Sequence, residues 1–255
     1  MKIVVIGGTG LIGSKLVDRL RREGHQPLAA SPQSGVNALT GQGLDGALEG
    51  AQVVVDVSSA PAGDAAAVLA FYETSSHNLL TAETAARVGH HVTLSVVGTD
   101  RFPESGYFRA KAAQEEVVKR GPVPYTILRA TQLFEFIVHI ADTSTDGDSI
   151  RLPPAFVRPE AAEDVASALA DVAVGSPLND TVELAGPEAL RLDEVARRVL
   201  KANDDPREVT TDVRARYCGA ELDDRSLIPG DDARIASTRF EEWLSRSTMT
   251  AKRPS

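Results

Sequence analysis

Tyr107 and Lys111 stand at i and i+4, a spacing that puts two groups able to share a proton on one face of a helix. An ammonium beside a phenol favours the phenolate and lowers its pKa. A phenol tuned in this way can hand a proton to a carbonyl oxygen as hydride arrives at the carbon. Ser95, upstream at the end of a β-branched run, is placed to hold that same oxygen. Together they form a candidate catalytic set, with Tyr107 as proton donor, Lys111 tuning it and Ser95 orienting the oxygen. A solvated helix face can carry the same Tyr-x-x-x-Lys pair, so its meaning depends on the elements around it.

The run from His90 to Val97 reads as a strand, and a helix starts near Gly106 and continues to Lys119. In an open parallel sheet the C-terminal strand ends line the ligand crevice, so a pair directly after such a strand lies beside the bound ligand. The start of the chain indicates what that ligand is. Ile3 to Ile6 form an unbroken β-branched run, as in a strand buried on both faces. Gly7-Gly8-Thr9-Gly10-Leu11-Ile12-Gly13 follows at once. From Ser14 to Glu23, Leu16, Val17 and Leu20 share one helical face and Arg19, Arg21 and Arg22 another. Strand, glycine turn and helix make a cradle for a dinucleotide pyrophosphate: one glycine permits the tight turn, another lets backbone approach the phosphates, the last lets helix and strand pack closely. The helix N-terminus adds free N–H groups and partial positive charge. The glycines fit two registers, Gly8-x-Gly10-x-x-Gly13 and Gly7-x-x-Gly10-x-x-Gly13, and both stay open. Expected cofactor contacts here are Gly7, Thr9, Gly10, Leu11, Ile12 and Gly13.

Gln26 to Ala30 is a second strand, and its end marks the adenosine ribose. A carboxylate there favours NAD, whereas a basic or hydroxyl-rich loop admits the 2′-phosphate of NADP. The loop is Ser31-Pro32-Gln33-Ser34-Gly35, with no Asp or Glu before Asp45 and no arginine. The missing acid and the hydroxyls of Ser31 and Ser34 favour NADP(H) over NAD(H). Gln52 to Val57 is a third buried strand, so Val57 and Ser58 at its end should lie along the cofactor. Thr126 to Ala130 is a further strand, and the stretch from Ala130 through Phe134 should pass near the nicotinamide.

Asp64 to Val88 reads as helical, with a weak spot at Thr74-Ser75-Ser76 and Gly89 closing it. Beyond Ser149, short strands surround Pro153-Pro154, helices are expected over 163–174 and 192–201, and 212–237 reads as irregular. Phe240, Trp243 and Leu244 form the apolar face of a closing helix, and the polar tail after Thr248 should fray.

The 255 residues suit one large α/β domain, or a core with a small appended lobe. A net charge of −9 argues against nucleic-acid binding, which needs a basic footprint. No run approaches the roughly 18 apolar residues of a membrane span, and Met1 leads straight into a core strand, which argues against a signal peptide. Cys218 is the only cysteine, so neither a disulfide framework nor a thiolate metal cluster is expected. His90 and His91 point to opposite faces of their strand. Asp142, Asp146 and Asp148 around Gly147 hint at a calcium loop, but Pro153 stands where the bidentate Glu would be needed, which leaves a polar turn. The expectation is a soluble cytoplasmic protein with a small-molecule substrate, no metal, no membrane or nucleic-acid partner, and room for a homo-oligomer.

The glycine turn, the strand end Leu94-Ser95-Val96-Val97-Gly98, Tyr107 with Lys111, and Ile127 through Phe134 together resemble the atypical short-chain dehydrogenase/reductases, in their NmrA-like, NAD(P)H-binding branch. The resemblance covers essentially the whole chain. It implies a Rossmann-type doubly wound parallel sheet with a small C-terminal substrate lobe. Residues 1–148 would form the core, 160–186 would return to it, and 149–255 would supply most of the lobe. It also implies a nicotinamide cofactor touching Thr9 to Ile12, the loop at Ser31, Val57-Ser58 and Lys111, which would hold the ribose. Members of this branch often lose the catalytic tyrosine, and some bind cofactor as sensors without turning it over. Retention of Tyr107 and Lys111 favours a reductase of carbonyls, quinones or similar electron-poor groups. The alternative is a redox-sensing regulator that binds NADP(H) and signals through another protein.

Overall fold

In the computed structural model the described residues are 1–147 and 149–251. Asp148, at the expected polar turn, and the last residues of the expected frayed tail lie outside them. The β-branched runs form β1 (Lys2–Ile6), β2 (Gln26–Ala30), β3 (Val53–Asp56), β4 (His90–Val96) and β5 (Tyr125–Ala130). Neighbours among them are parallel, in the order β2-β1-β3-β4-β5. The crossovers are α1 (Leu11–Arg22), α2 (Leu44–Leu48), α3 (Ala65–Ala86) and α4 (Gly106–Arg120). The chain lays β2 on one side of β1 and β3 on the other. The doubly wound expectation is thus borne out, and the order reverses between β1 and β3, where ligands bind in open α/β sheets.

The chain divides into two units, 1–130 with 165–182 and 131–164 with 183–255. The first closes at Ala130, before the expected 148. One face of its sheet packs through Val4, Ile6, Ala30 and Val54 against Leu44 and Leu48 of α2 and Leu79 and Leu80 of α3. Strand alternation sends Ile3 and Val5, both fully buried, to the opposite face. After α5 (Ile137–Thr143), β6 (Thr145–Asp146), β7 (Ser149–Leu152), β8 (Phe156–Val157) and α6 (Ala162–Val174), β9 (Asp180–Ala185) returns beside β5. The chain goes on through β10 (Leu190–Arg191), α7 (Leu192–Ala202), β11 (Glu208–Thr211), β12 (Arg234–Ile235) and α8 (Phe240–Ala251). β12 pairs with the end of β9 and completes a seven-stranded sheet.

In the second unit β7 lies between β11 and β6, and β8 pairs with β10. Phe134 stacks on Trp243 at 5.1 Å and packs on Phe240, so α8 docks by its aromatic face as expected. The 212–237 stretch is irregular apart from β12, yet Tyr217, Ala220 and Leu227 are buried, which makes it a packed segment.

Two expectations are corrected. α3 runs unbroken through Thr74-Ser75-Ser76: both serines are buried, and the Ser75 hydroxyl donates back to the Tyr72 carbonyl inside the helix, so it does not compete for the ladder. Arg87, not Gly89, ends that helix; it takes the left-handed conformation (φ 58°) and donates to the Glu83 and Thr84 carbonyls. The edge strand β2 contains Pro27. The Gln26 N–H donates to the Met1 carbonyl, and the Ala30 carbonyl accepts from Gly7, so alternate residues face β1 and Pro27 faces the open edge.

Candidate functional site

The glycine turn closes on its own backbone. Gly7, at φ +78°, donates to the Ala30 carbonyl at 2.9 Å, and Gly10 donates to the Gly7 carbonyl at 3.0 Å. α1 starts at Leu11 with Gly10 as its cap and no side chain bonded to its first N–H groups. Thr9, Gly10 and Leu11 are exposed at this uncapped end, which suits an anion. A Cβ on Gly13 would lie 2.2 Å from the Gly7 oxygen, and one on Gly7 would lie 2.9 Å from the backbone of Val57. The first contact is the close helix–strand approach, and the second sets the turn after β1 against the turn after β3. Gly13→Ala should therefore push α1 off the turn, destabilising the protein by about 1–3 kcal/mol and weakening nucleotide binding. Thermal unfolding and calorimetric titration of that variant check both effects.

The turn after β3 is ordered by a buried carboxylate: Asp56 accepts from the Ser58 N–H at 2.9 Å, while the Val57 N–H donates to Ile6. After β2, Ser31 is buried, and the Ser34 hydroxyl donates to the Ser31 carbonyl while accepting from the Ser31 N–H. Ser34 thus spends its proton on its own turn and loses its force as an expected donor to a 2′-phosphate. The absence of a carboxylate from the loop stands. Ala130 ends β5 and accepts from Val97.

Ser105 caps α4, accepting from the Phe108 N–H, and a Cβ on Gly106 would meet Ala65 at 2.6 Å, so the helix starts hard against α3. Tyr107 lies on its first turn, 40% exposed, with its ring edge-on to Phe108. Lys111, one turn on, is buried. Its Nζ donates to the Leu94 carbonyl at 2.8 Å and to Gln114 Oε1, and lies 4.5 Å from the centre of the Tyr72 ring. The phenol beneath the ammonium is therefore that of Tyr72. Burial lowers the Lys111 pKa to about 8, against the pull of Asp56 and Glu115. Burial also pushes Tyr72 up to about 12.

Ser95 faces elsewhere than expected. Its hydroxyl donates to Glu115 at 2.7 Å, and the Glu115 carboxylate also holds Arg129 through two bonds of 2.8 Å. Burial works against the Glu115 charge, yet Arg129, Ser95 and Lys119 bring its pKa below the usual carboxylate range. The Ser95 proton is committed to this pair, which leaves Ser95 out of the reaction proposed below. His90 and His91 diverge: His90 meets Thr126 at 2.9 Å, and His91 meets Glu83 at 2.8 Å.

Sequence reasoning missed Asp56, Tyr72, Gln114 and Glu115. Asp56 had left a signal, a lone charge at the end of an all-valine strand, where a buried carboxylate must find donors. The second unit holds another unforeseen group. Glu160 is fully buried and accepts from the Thr131 N–H at 2.8 Å. Burial, with Asp164 and Glu135 nearby, raises it to about 8.

A family model described as NAD(P)H-binding matches residues 7–175. The chain belongs to the NAD(P)H-binding family. The expected NAD(P)H-binding family is thereby borne out. The photosystem II assembly factor Ycf39 of Cyanophora paradoxa is 25% identical over 152 residues, 54% of this chain and 47% of that protein. The chain thus spans about half the length of this curated relative. Among solved structures, a dTDP-4-dehydrorhamnose reductase of Clostridium acetobutylicum superposes with a TM-score of 0.69 at 17% identity, covering 98% of this chain and 100% of that one. An NADPH-dependent quinone oxidoreductase of Escherichia coli superposes with a TM-score of 0.66 at 16% identity, covering 96% and 99%. At these identities the likeness is one of fold. Among the described residues no helix is long and apolar enough to cross a membrane.

Proposed function

We propose that this protein is an NAD(P)H-dependent oxidoreductase that reduces a carbonyl, a quinone or a similar small electron-poor group. The observation that carries the reading is the uncapped start of α1 behind a glycine turn whose Gly7 and Gly13 leave no room for a Cβ. Such a cradle fits a pyrophosphate. The backbone from Gly7 through Gly13 would hold the phosphates, Val57, Ser58 and Ala130 would line the cofactor, and the Lys111 ammonium would hold the ribose. Tyr107, exposed one turn before Lys111, would give its proton to the substrate oxygen. The bound nucleotide supplies the hydride. NADP(H) is preferred over NAD(H), because the turn at Ser31 and Ser34 holds no carboxylate to repel a 2′-phosphate.

A second reading, a non-catalytic NADP(H)-binding regulator, gains from the commitment of Ser95 to Glu115, and a curated relative is named as an assembly factor. A sensor must bind the oxidised and reduced forms unequally. Calorimetric titration with NADPH, NADP⁺, NADH and NAD⁺ separates the readings. The reductase should bind one pair, with similar affinity for its two forms, and consume NADPH with a carbonyl or quinone. A large difference between the two forms, with no turnover on a broad panel, would favour the regulator. No binding of any of the four removes both.

A further inference from the structure

Asp56 and Gln114 are fully enclosed polar groups that neither the phosphate cradle nor the proton transfer uses. Gln114 Nε2 donates to Asp56 Oδ2 at 3.0 Å, and its Oε1 accepts from Lys111 Nζ. Between a carboxylate and an ammonium an amide has only one orientation that satisfies both, so Asp56 fixes which end of Gln114 meets Lys111. The other carboxylate oxygen of Asp56 accepts from the Ser58 N–H, and the Tyr72 ring lies under the same ammonium. The carboxylate that orders the Val57–Ser58 turn is therefore the one that orients Gln114 toward Lys111.

We propose that Asp56 and Gln114 are positioning residues, which tie the cofactor-side turn after β3 to Lys111 so that the turn and the ribose-holding ammonium are set together. The proposal rests on the reading of Lys111 as a cofactor anchor. The charged and titratable groups facing Lys111 are Asp56 from β3, Tyr72 from α3 and Glu115 from its own helix.

The test is NADPH affinity by calorimetry from neutral to alkaline pH, on the full chain and on Lys111→Met, Gln114→Leu and Gln114→Glu variants. The wild type should lose affinity as Lys111 deprotonates, near its lowered pKa of about 8, and Lys111→Met should lack that dependence. Gln114→Leu removes an acceptor from the ammonium and should move the midpoint down by about one pH unit; Gln114→Glu adds a carboxylate and should move it up. An unmoved midpoint in both Gln114 variants overturns the positioning role while the Lys111 anchor stands. An affinity without alkaline loss, equal in Lys111→Met, overturns the anchor and the proposal with it. Should Gln114→Leu fail to fold, Gln114→Glu decides alone. Without nucleotide, amide exchange at Ser58 should rise about tenfold in Gln114→Glu, and unchanged exchange overturns the link to the turn.

Discussion

A Tyr107→Phe variant will bind NADPH as the wild type does and lose about 10²–10⁴-fold in turnover, the usual worth of a positioned general acid. The change removes only a hydroxyl. The Tyr107 ring is partly exposed on the first turn of α4 and meets Phe108 by its edge, a contact that phenylalanine keeps. Lys111 is seated by Leu94, Gln114 and Tyr72, so its position does not depend on the Tyr107 hydroxyl. Melting temperature and nucleotide affinity should therefore stay put while the barrier rises by about 3–5 kcal/mol. Single-turnover oxidation of NADPH, with whichever substrate the panel yields, reads the effect. Turnover at the wild-type rate would take the proton-donor role away from Tyr107.

A Glu160→Gln variant will gain stability at alkaline pH, by about 2–4 kcal/mol at pH 8. Glu160 is enclosed in the second unit, and its raised pKa of about 8 means that the folded chain keeps a proton the unfolded chain releases. An exposed glutamate releases that proton near pH 4.3, roughly. Between those two values the folded state binds more protons, so stability falls as pH rises. The contribution is whole in acid, drains through the window and is gone above the folded pKa. Glutamine has the same shape, still accepts from Thr131 and carries no proton, so the slope disappears. Urea unfolding at several pH values across the window checks this. A variant whose stability declines in parallel with the wild type shows that Glu160 does not titrate there.

The sheet was legible because its signals are local. Ile3 to Ile6 and Val53 to Val55 have no polar break, and Gly7 and Gly13 stand where backbone meets backbone. The pairings of side chains were not legible, because they join residues far apart in sequence. Nothing near Ser95 announces that Glu115 and Arg129 will claim its proton. Spacing put Lys111 on the helical face of Tyr107, but Gln114, Asp56 and Tyr72, from three different elements, determine where its ammonium rests. The burial of Ser31 likewise follows from how its turn folds back, which composition does not reveal.

Pro27 bears on how copies of this chain can meet. Beyond β2 the sheet has an open edge, and an open edge is a template on which another strand can grow. The outward-facing residues of β2 are Pro27 and Ala29, and proline has no N–H to offer. An arriving strand would find a single donor, at Ala29, and a rigid ring beside it. Growth of the sheet from one molecule into the next is blocked on this side, which guards the most exposed parallel strand of the core against fibrous aggregation.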